Sequence, residues 1–404
     1  MSLSSKIFLS LLAGLILGCL VNIFGLYENI NIGGVIDIPG KIFVSSLKML
    51  IVPVVFFSIV CGISNLGNMS SLGRIGAKSV LLYLFTTCIA ITLALIFAGL
   101  FSPGTEIQNF EINNFETKQA PLIKDTIINI VPENPFRSFV EANMLQVIFF
   151  AIIFGVSLNM LKENNTQLKK GMNALNDLFL KMIEVIMKLA PIGVFFLLFK
   201  TFSTQGFDLI FDLSAYFFTV IFTLLIHLLL TYGVLISIFT KINPIIFLKK
   251  MKNTLLFAFS TSSSAATIPI TLRAVEKNLG VHKSVASFTV PLGATINMDG
   301  TAIMQGVATI FIANTYGIDL TMNDFISVIL IATLASIGTA GVPGVGLIML
   351  TMVLNQVGLP AEGIAIIIGI DRLLDMTRTA VNVTGDATIS CVVANSEKKI
   401  DYKN

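Results

Sequence analysis

Residues 291–306, PLGATINMDGTAIMQG, decide how this chain is read. They place Asn297, Asp299 and Gly300 in the middle of a long apolar region, where a surface turn has no surface to occupy. Of the 404 residues, 55% are hydrophobic types and 12% charged, with a mean hydropathy of +0.88. Soluble domains carry about a quarter charged residues. A chain with half that charge cannot cover itself with polar groups, so the bilayer is the expected solvent.

A spanning helix needs about 20 mainly apolar residues. Runs of that kind cover 7–27, 42–64, 80–101, 144–161, 178–199, 215–239 and 285–312. Residues 326–393 are also apolar but interrupted by Gly, Pro and charges. Met1–Lys6 and the run behind it have the outline of a signal peptide, but no small-residue cleavage site follows, so an uncleaved first helix is expected. Gly14 and Gly18 in that run form a GxxxG pattern, which signals close helix packing.

The net charge of +3 is modest, and its placement says more. Short connectors carry Arg74, Lys78, Lys162, Lys169, Lys170, Lys241, Lys249, Lys250 and Lys252, and the tail carries Lys398, Lys399 and Lys403. The positive-inside rule puts these segments, and Lys6 before the first run, in the cytoplasm. The connector 102–143 is acidic (Glu106, Glu111, Glu116, Asp125, Glu133, Glu141) and is expected outside. The expectation is a multi-pass protein of the inner cell membrane with both termini cytoplasmic. No basic stripe interleaved with aromatics marks a nucleic-acid partner. Cys19, Cys61, Cys88 and Cys391 lack metal or disulfide spacing and read as small packing residues. His227, in LLIHLLL, has no carboxylate nearby in sequence and reads as a packed histidine; His282 lies in a polar connector.

The second half of the chain carries polar and helix-breaking residues at membrane depth, in a pattern that occurs twice. LLFAFSTSSSAATIPITLRAV (255–275) is an apolar arm, a small polar tip and a second arm with Pro269. VILIATLASIGTAGVPGVGLIMLTMVL (328–354) repeats the arrangement around a Gly- and Pro-rich tip. Each arm is too short to cross alone, so each unit reads as a re-entrant hairpin, followed by a polar helix. Bare backbone at that depth is tolerated only where protein or a cavity covers it, and such paired interruptions point to a transporter's binding site.

DRLLDMTRTAVNVTGD (371–386) sets Asp371, Asp375, Arg378, Asn382 and Asp386 on a stripe roughly 80° wide, at about 100° per residue. Intramembrane charges are costly and face cavities or partners. Ion pairing along the helix accounts for Asp371, Asp375 and Arg378 in part; it leaves Asp386 unexplained. The NMDG break then acquires a role. Carbonyls freed near 293–297, with the carboxylates of Asp299 and Asp386, make a hard oxygen cage suited to Na⁺. The planar fork of Arg378 suits a carboxylate. Asp375 can accept an ammonium, and the hairpin tips offer N–H groups for a second carboxylate. Together they describe an acidic amino acid. A channel would need rings of identical groups about an axis, and an intramembrane aspartyl protease two facing carboxylates that share a proton; neither fits, and no enzyme is expected.

STSSSAATIP, GATINMDGTA, SIGTAGVPG and DMTRTAVNVTGD, in that order, with PENPF at 132–136, resemble the dicarboxylate/amino acid:cation symporter family, which includes the glutamate transporters; the likeness covers nearly the whole chain. The resemblance implies an all-α homotrimer of eight transmembrane helices and two re-entrant hairpins per protomer, built as inverted repeats. It implies one membrane transporter domain, 1–404. Its scaffold part would be 28–75 and 128–240 (spans 2, 4 and 5). Its transport part, 1–27, 76–101 and 241–395 (spans 1, 3, 6–8 and both hairpins), would move like an elevator, with the division near 200–245 left open. By position, Ser264, Thr301, Val342, Gly346, Asp375, Arg378, Thr379 and Asn382 would contact substrate. One Na⁺ would take Asp386 with carbonyls of Gly293, Asn297 and Asn382; a second, carbonyls of Thr295, Ser336, Ile337 and Thr339; a third, Asp299 and Asn297 with Tyr83, Thr86 and Thr87 of YLFTT.

The chain departs from that pattern at Ser262 and Met376, where members usually carry an extra arginine at one or the other; Arg372 is the candidate replacement. Gln305 stands where K⁺-coupled animal members have glutamate, which argues against K⁺ counter-transport. The expected function is Na⁺-driven import of aspartate or glutamate. The alternatives are proton coupling, or a C4-dicarboxylate, cystine or neutral amino acid as cargo.

Overall fold

The computed structural model describes residues 3–27, 34–64, 73–105, 131–141, 143–161, 166–205, 208–336, 339, 341 and 343–402. Ile337 and Val342 of the expected sites lie outside these residues, as do Glu106, Glu111, Glu116, Asp125, Lys162 and Lys403 of the charge pattern. Among the described residues every regular element is helical, which fits an apolar solvent in which the backbone must satisfy itself.

The first part of the chain forms α1 (Leu3–Ile23), α2 (Asp37–Met49), α3 (Ile51–Ser64), α4 (Gly73–Phe101), α5 (Pro135–Val140), α6 (Met144–Met160), α7 (Thr166–Met187) and α8 (Ala190–Gln205). Two runs expected as single spans are broken. Pro53 and Pro191 each lack an N–H and crowd the carbonyl four residues earlier, and helices end at those carbonyls, Met49 and Met187. The second break bends the chain by 53° between Gln167–Ile186 and Ala190–Thr204. The GxxxG of α1 does pack closely: a Cβ on Gly14 would sit 2.7 Å from Phe195 O on α8, and one on Gly18 2.8 Å from Phe199 O. A phenylalanine cluster (Phe56, Phe139, Phe150, Phe154) joins α3, α5 and α6.

The remainder forms α9 (Asp208–Ile226), a π-helical turn (His227–Tyr232), α10 (Gly233–Phe239), α11 (Pro244–Thr261), α12 (Ser264–Arg273), α13 (Lys283–Ile296), α14 (Asp299–Thr315), α15 (Met322–Ser336), α16 (Val345–Gln356) and α17 (Ile364–Ser396). Here α14 is buried along almost its whole length, against α4, α9 and α17. Asn243 caps α11, accepting from Ile245 N at 2.9 Å with Pro244 in the first helical position. Ser262 (φ +51°) ends α11, and Ser263 caps α12 through Ala266 N at 3.1 Å. These two serines are the whole tip between the arms, which is why it is short and polar.

Among the described residues two stretches, Arg74–Phe101 and Leu213–Phe239, are long and apolar enough to cross a bilayer, and the bent pair makes a third if taken as one span. The remaining apolar helices are shorter or, like α17, interrupted by charge. At the far end, Asp401 N donates to Gly280 O (2.8 Å) and His282 N to Lys399 O (2.9 Å), so the tail is stitched to the connector ahead of α13. Beside it Glu397 is held by Arg74 (2.5 Å) and Lys78 (2.6 Å) from the start of α4.

Candidate functional site

The chain breaks where NMDG requires it to. α13 ends at Ile296, Asn297 and Met298 take non-helical conformations, and α14 restarts at Asp299. A helix start leaves backbone N–H groups without partners. Here Asn382 of α17 supplies one acceptor: Gly300 N donates to Asn382 Oδ1 at 2.7 Å. Its Nδ2 donates to Met298 Sδ at 3.4 Å. Gly300 has no room for a side chain, since a Cβ would lie 2.7 Å from Arg378 O. The broken segment therefore lies directly on the polar stripe of α17.

Across this contact Asn297 Nδ2 donates to Asp386 Oδ1 (2.9 Å) and to Asn382 O (2.9 Å). Asn297 Oδ1 is buried and without a hydrogen-bond partner, an acceptor left over inside the protein. Asp386 is 1% exposed, and no Lys or Arg pairs with it among the described residues. Gly293 carries no Cβ because one would meet the Asp386 carboxylate and lie 2.7 Å from Tyr83 Oη. Asp299 is also fully buried; Thr87 Oγ1 donates to its Oδ1 at 2.5 Å. The hydroxyls of Thr86 (3.0 Å) and Thr87 (2.9 Å) both turn back to Tyr83 O, and Tyr83 Oη donates to Thr289 O at 3.0 Å. Thus Tyr83, Thr87, Asn297, Asp299, Asn382, Asp386 and Gly293 are drawn together, while the Thr86 hydroxyl is turned to Tyr83 O. Two buried carboxylates and a spare amide oxygen form a site that attracts a hard cation. No cluster of three or more His, Cys, Asp or Glu that could hold a metal occurs among the described residues.

Of the residues expected to contact substrate, Asp375 and Arg378 lie one turn and more towards the start of α17. Arg378, fully buried, makes ion pairs with Asp371 (Nη1–Oδ1, 2.9 Å) and Asp375 (Nη2–Oδ1, 2.9 Å). Its Nε has no acceptor. Gly346, at the start of α16, faces it: a Cβ there would lie 3.2 Å from Thr301 Cγ2 and 3.5 Å from Arg378 Nη1. The two tips touch, with Ser263 Oγ (2.7 Å) and Ala265 N (3.1 Å) donating to Gly341 O. A Cβ on Gly341 would lie 3.1 Å from Ser264 Cβ and 2.8 Å from Ala294 O, so the second tip also reaches the last turn of α13, beside Thr295. Thr339 N donates to Ser336 O at 3.4 Å within that tip. Thr379 hydrogen-bonds its own helix at Asp375 O (2.7 Å). Arg372 Nη1 lies 3.7 Å from Asp375 Oδ2, at the edge of the group.

The sequence reading took His227 for a packed histidine with no carboxylate near it. It is packed, but on a carboxylate: His227 Nε2 lies 3.0 Å from Asp299 Oδ2, and Tyr232 Oη donates to the same oxygen at 2.7 Å. Residues 72 and 67 positions apart in sequence give no local signal of such contacts.

Comparison with known proteins identifies the family. A sequence profile of the sodium:dicarboxylate symporter family matches residues 3–396. The chain is 34% identical over 405 residues to the proton/sodium-glutamate symport protein of Geobacillus stearothermophilus, covering 98% of this chain and 94% of that one. It is 33% identical over 414 residues to the proton/glutamate-aspartate symporter of Escherichia coli (strain K12), covering 100% and 94%. It is also 33% identical over 414 residues to the excitatory amino acid transporter 3 of Mus musculus, covering 89% and 79%.

Proposed function

This chain belongs to the sodium:dicarboxylate symporter family, and on that premise we propose that it imports acidic amino acids, aspartate or glutamate, together with Na⁺. It is a transporter and not an enzyme. The observation that carries the substrate reading is the buried Arg378–Asp375 pair beside the touching tips. Arg378 presents a planar fork for one carboxylate, and Asp375 an acceptor for an ammonium. The tip at Ser263–Ser264 opens α12, whose first N–H groups, held by Gly341 O and Ser263 Oγ, would suit a second carboxylate once the tips part. A plain dicarboxylate would give Asp375 nothing to bind.

The cation reading is supported by Asp299, Asp386 and Asn297 Oδ1, which put negative charge and an unused acceptor in a dry interior. A bound Na⁺ relieves that cost, and the carboxylates draw it in. The names of the bacterial relatives include protons as well as sodium. Asn297 Oδ1 adds a neutral oxygen to two carboxylates, and such an all-oxygen set suits Na⁺. Gly293, Asn297, Asn382 and Asp386 would serve one ion, Tyr83, Thr86, Thr87, Asn297 and Asp299 another, and Thr295, Ser336, Ile337 and Thr339 a third.

The broken and bent helices fit eight spans with two re-entrant hairpins, working as a trimer in the inner membrane with both termini in the cytoplasm. The transport part would move against the scaffold as an elevator, with α15 and α16 gating the outside. The test is uptake of radiolabelled L-aspartate into proteoliposomes, under an inward Na⁺ gradient alone and a proton gradient alone. Uptake with Na⁺ only is expected. Uptake with protons only would reassign Asp299 and Asp386 as proton carriers, and no uptake in either would refute the acidic substrate.

A further inference from the structure

The π-helical turn His227–Tyr232 interrupts an otherwise regular apolar span, between α9 and α10. In an α-helix residues five apart point about 140° away from each other. A π turn closes i to i+5 and so brings them to one side; such turns concentrate at functional sites. Here the two residues so aligned are the only conventional side-chain donors of the turn apart from Thr231, and both meet Asp299 Oδ2: His227 Nε2 at 3.0 Å and Tyr232 Oη at 2.7 Å. Their rings pack edge to face at 4.7 Å between centroids. Asp299, His227 and Tyr232 are each 1% exposed or less, so water does not stand in for either donor. Gly385 of α17 leaves the space that the Tyr232 hydroxyl occupies; a Cβ there would collide with it.

The two oxygens of Asp299 are therefore treated differently. Oδ2 is taken by two donors from one turn, and among the described residues Oδ1 accepts from the Thr87 hydroxyl alone, on the side of Tyr83 O. A carboxylate serves a cation cage when one oxygen stays aimed into it, and a side chain held at its other oxygen does not have to be ordered at the moment of binding. Neither donor neutralises the charge by itself as an arginine would, so the attraction for a cation persists.

We propose that His227 and Tyr232 are positioning residues of the cation site: the π turn holds Asp299 by Oδ2 so that Oδ1, with Thr87, faces the transported cation. The inference rests on the cation-coupled reading above. It is tested with the full-length transporter in proteoliposomes, by titrating Na⁺ at saturating L-aspartate and L-aspartate at saturating Na⁺. The variants are Tyr232→Phe, which removes a single hydroxyl, His227→Leu, which removes the imidazole donor, and His227→Gln, which returns an N–H donor. Half-saturation by Na⁺ is expected to rise about tenfold or more in Tyr232→Phe and His227→Leu, the scale of one hydrogen bond to a charged group, and to recover in His227→Gln. Half-saturation by aspartate at saturating Na⁺ is expected to stay within about twofold of wild type.

The Na⁺-induced rise in melting temperature of the detergent-purified protein, without aspartate, reads the same site independently of transport and is expected to shrink in the same two variants. Unaltered Na⁺ titration in Tyr232→Phe and His227→Leu, with a Na⁺-dependent wild type, overturns this inference alone. So does a His227→Gln as defective as His227→Leu in a protein that melts normally. A wild type indifferent to Na⁺ overturns the coupling reading and this inference with it.

Discussion

The guanidinium of Arg378 donates to the carboxylate of Asp375 at 2.9 Å, one turn away on the same helix, with both groups closed off from water. The two groups proposed to hold opposite ends of an amino acid thus satisfy each other. Asp371 takes the other arm of the guanidinium. A substrate has to replace these contacts in exchange, carboxylate for carboxylate and ammonium for guanidinium, so a ligand with only one of the two groups leaves a buried charge unpaired, which is strongly unfavourable.

Arg378→Lys keeps the charge and loses the fork. Aspartate affinity is expected to fall on the order of 10- to 150-fold, the range of a hydrogen bond to a charged group. Competition of labelled aspartate uptake by unlabelled aspartate and by a neutral amino acid measures it. Arg378→Ala is expected to lose acidic substrates altogether; unchanged aspartate affinity there would refute the assigned role.

Asp386→Asn removes a buried charge while keeping the shape that Asn297 packs against. Half-saturation by Na⁺ is expected to rise at least tenfold, a coulombic loss of about 1.4 kcal/mol or more. The Na⁺ titration of aspartate uptake decides it, and an unaltered curve counts against the cage.

Gly293→Ala tests the geometry of the cage without touching its charges. The new Cβ would lie 2.7 Å from Tyr83 Oη and press on the Asp386 carboxylate. Overpacking of this kind costs about 1–3 kcal/mol. A lower melting temperature together with weaker Na⁺ stabilisation is expected; a normal melt with normal Na⁺ stabilisation would count against Gly293 as a packing point of the cage.

Glu397, just beyond α17, is held down to about 2 from its usual 4.5 by hydrogen bonds from Arg74 and Lys78. A depressed carboxyl stabilises the fold fully above its unfolded value and loses that contribution as pH falls through its folded value. The difference in melting temperature between wild type and Glu397→Gln is therefore expected to be constant above pH 4.5 and to disappear between there and pH 2. Thermal unfolding in detergent across that range checks it; a difference that persists at pH 2 would place the effect elsewhere than in this carboxylate.

Much of the site was legible because polarity inside an apolar run is costly and so informative. The break at NMDG, the stripe on α17 and the serine tip each appear in the structure where the sequence put them. Pro53 and Pro191 also announced the breaks they cause, but the apolar runs around them read as continuous. His227 and Tyr232 gave no sign of their target. Thr219, Thr223, His227 and Thr231, four residues apart and all buried, mark the inward face of their helix, but an inward face does not name the partner it meets.

The sequence by itself determined the solvent, the helices, the places where helices must stop, and which polar groups could not be left alone in lipid. Those follow from local rules: hydrophobic length, helix-breaking chemistry and the cost of a buried charge. The tertiary structure alone decided who meets whom. That Asn382 caps α14, that Asp299 is held by a π turn from another span, and that the two tips join at Gly341 depend on how each helix is rotated and how closely it approaches its neighbours. Those choices are set by side-chain volume at glycines such as Gly293, Gly300 and Gly385, summed over the whole packed interior, and no short window of sequence contains that sum.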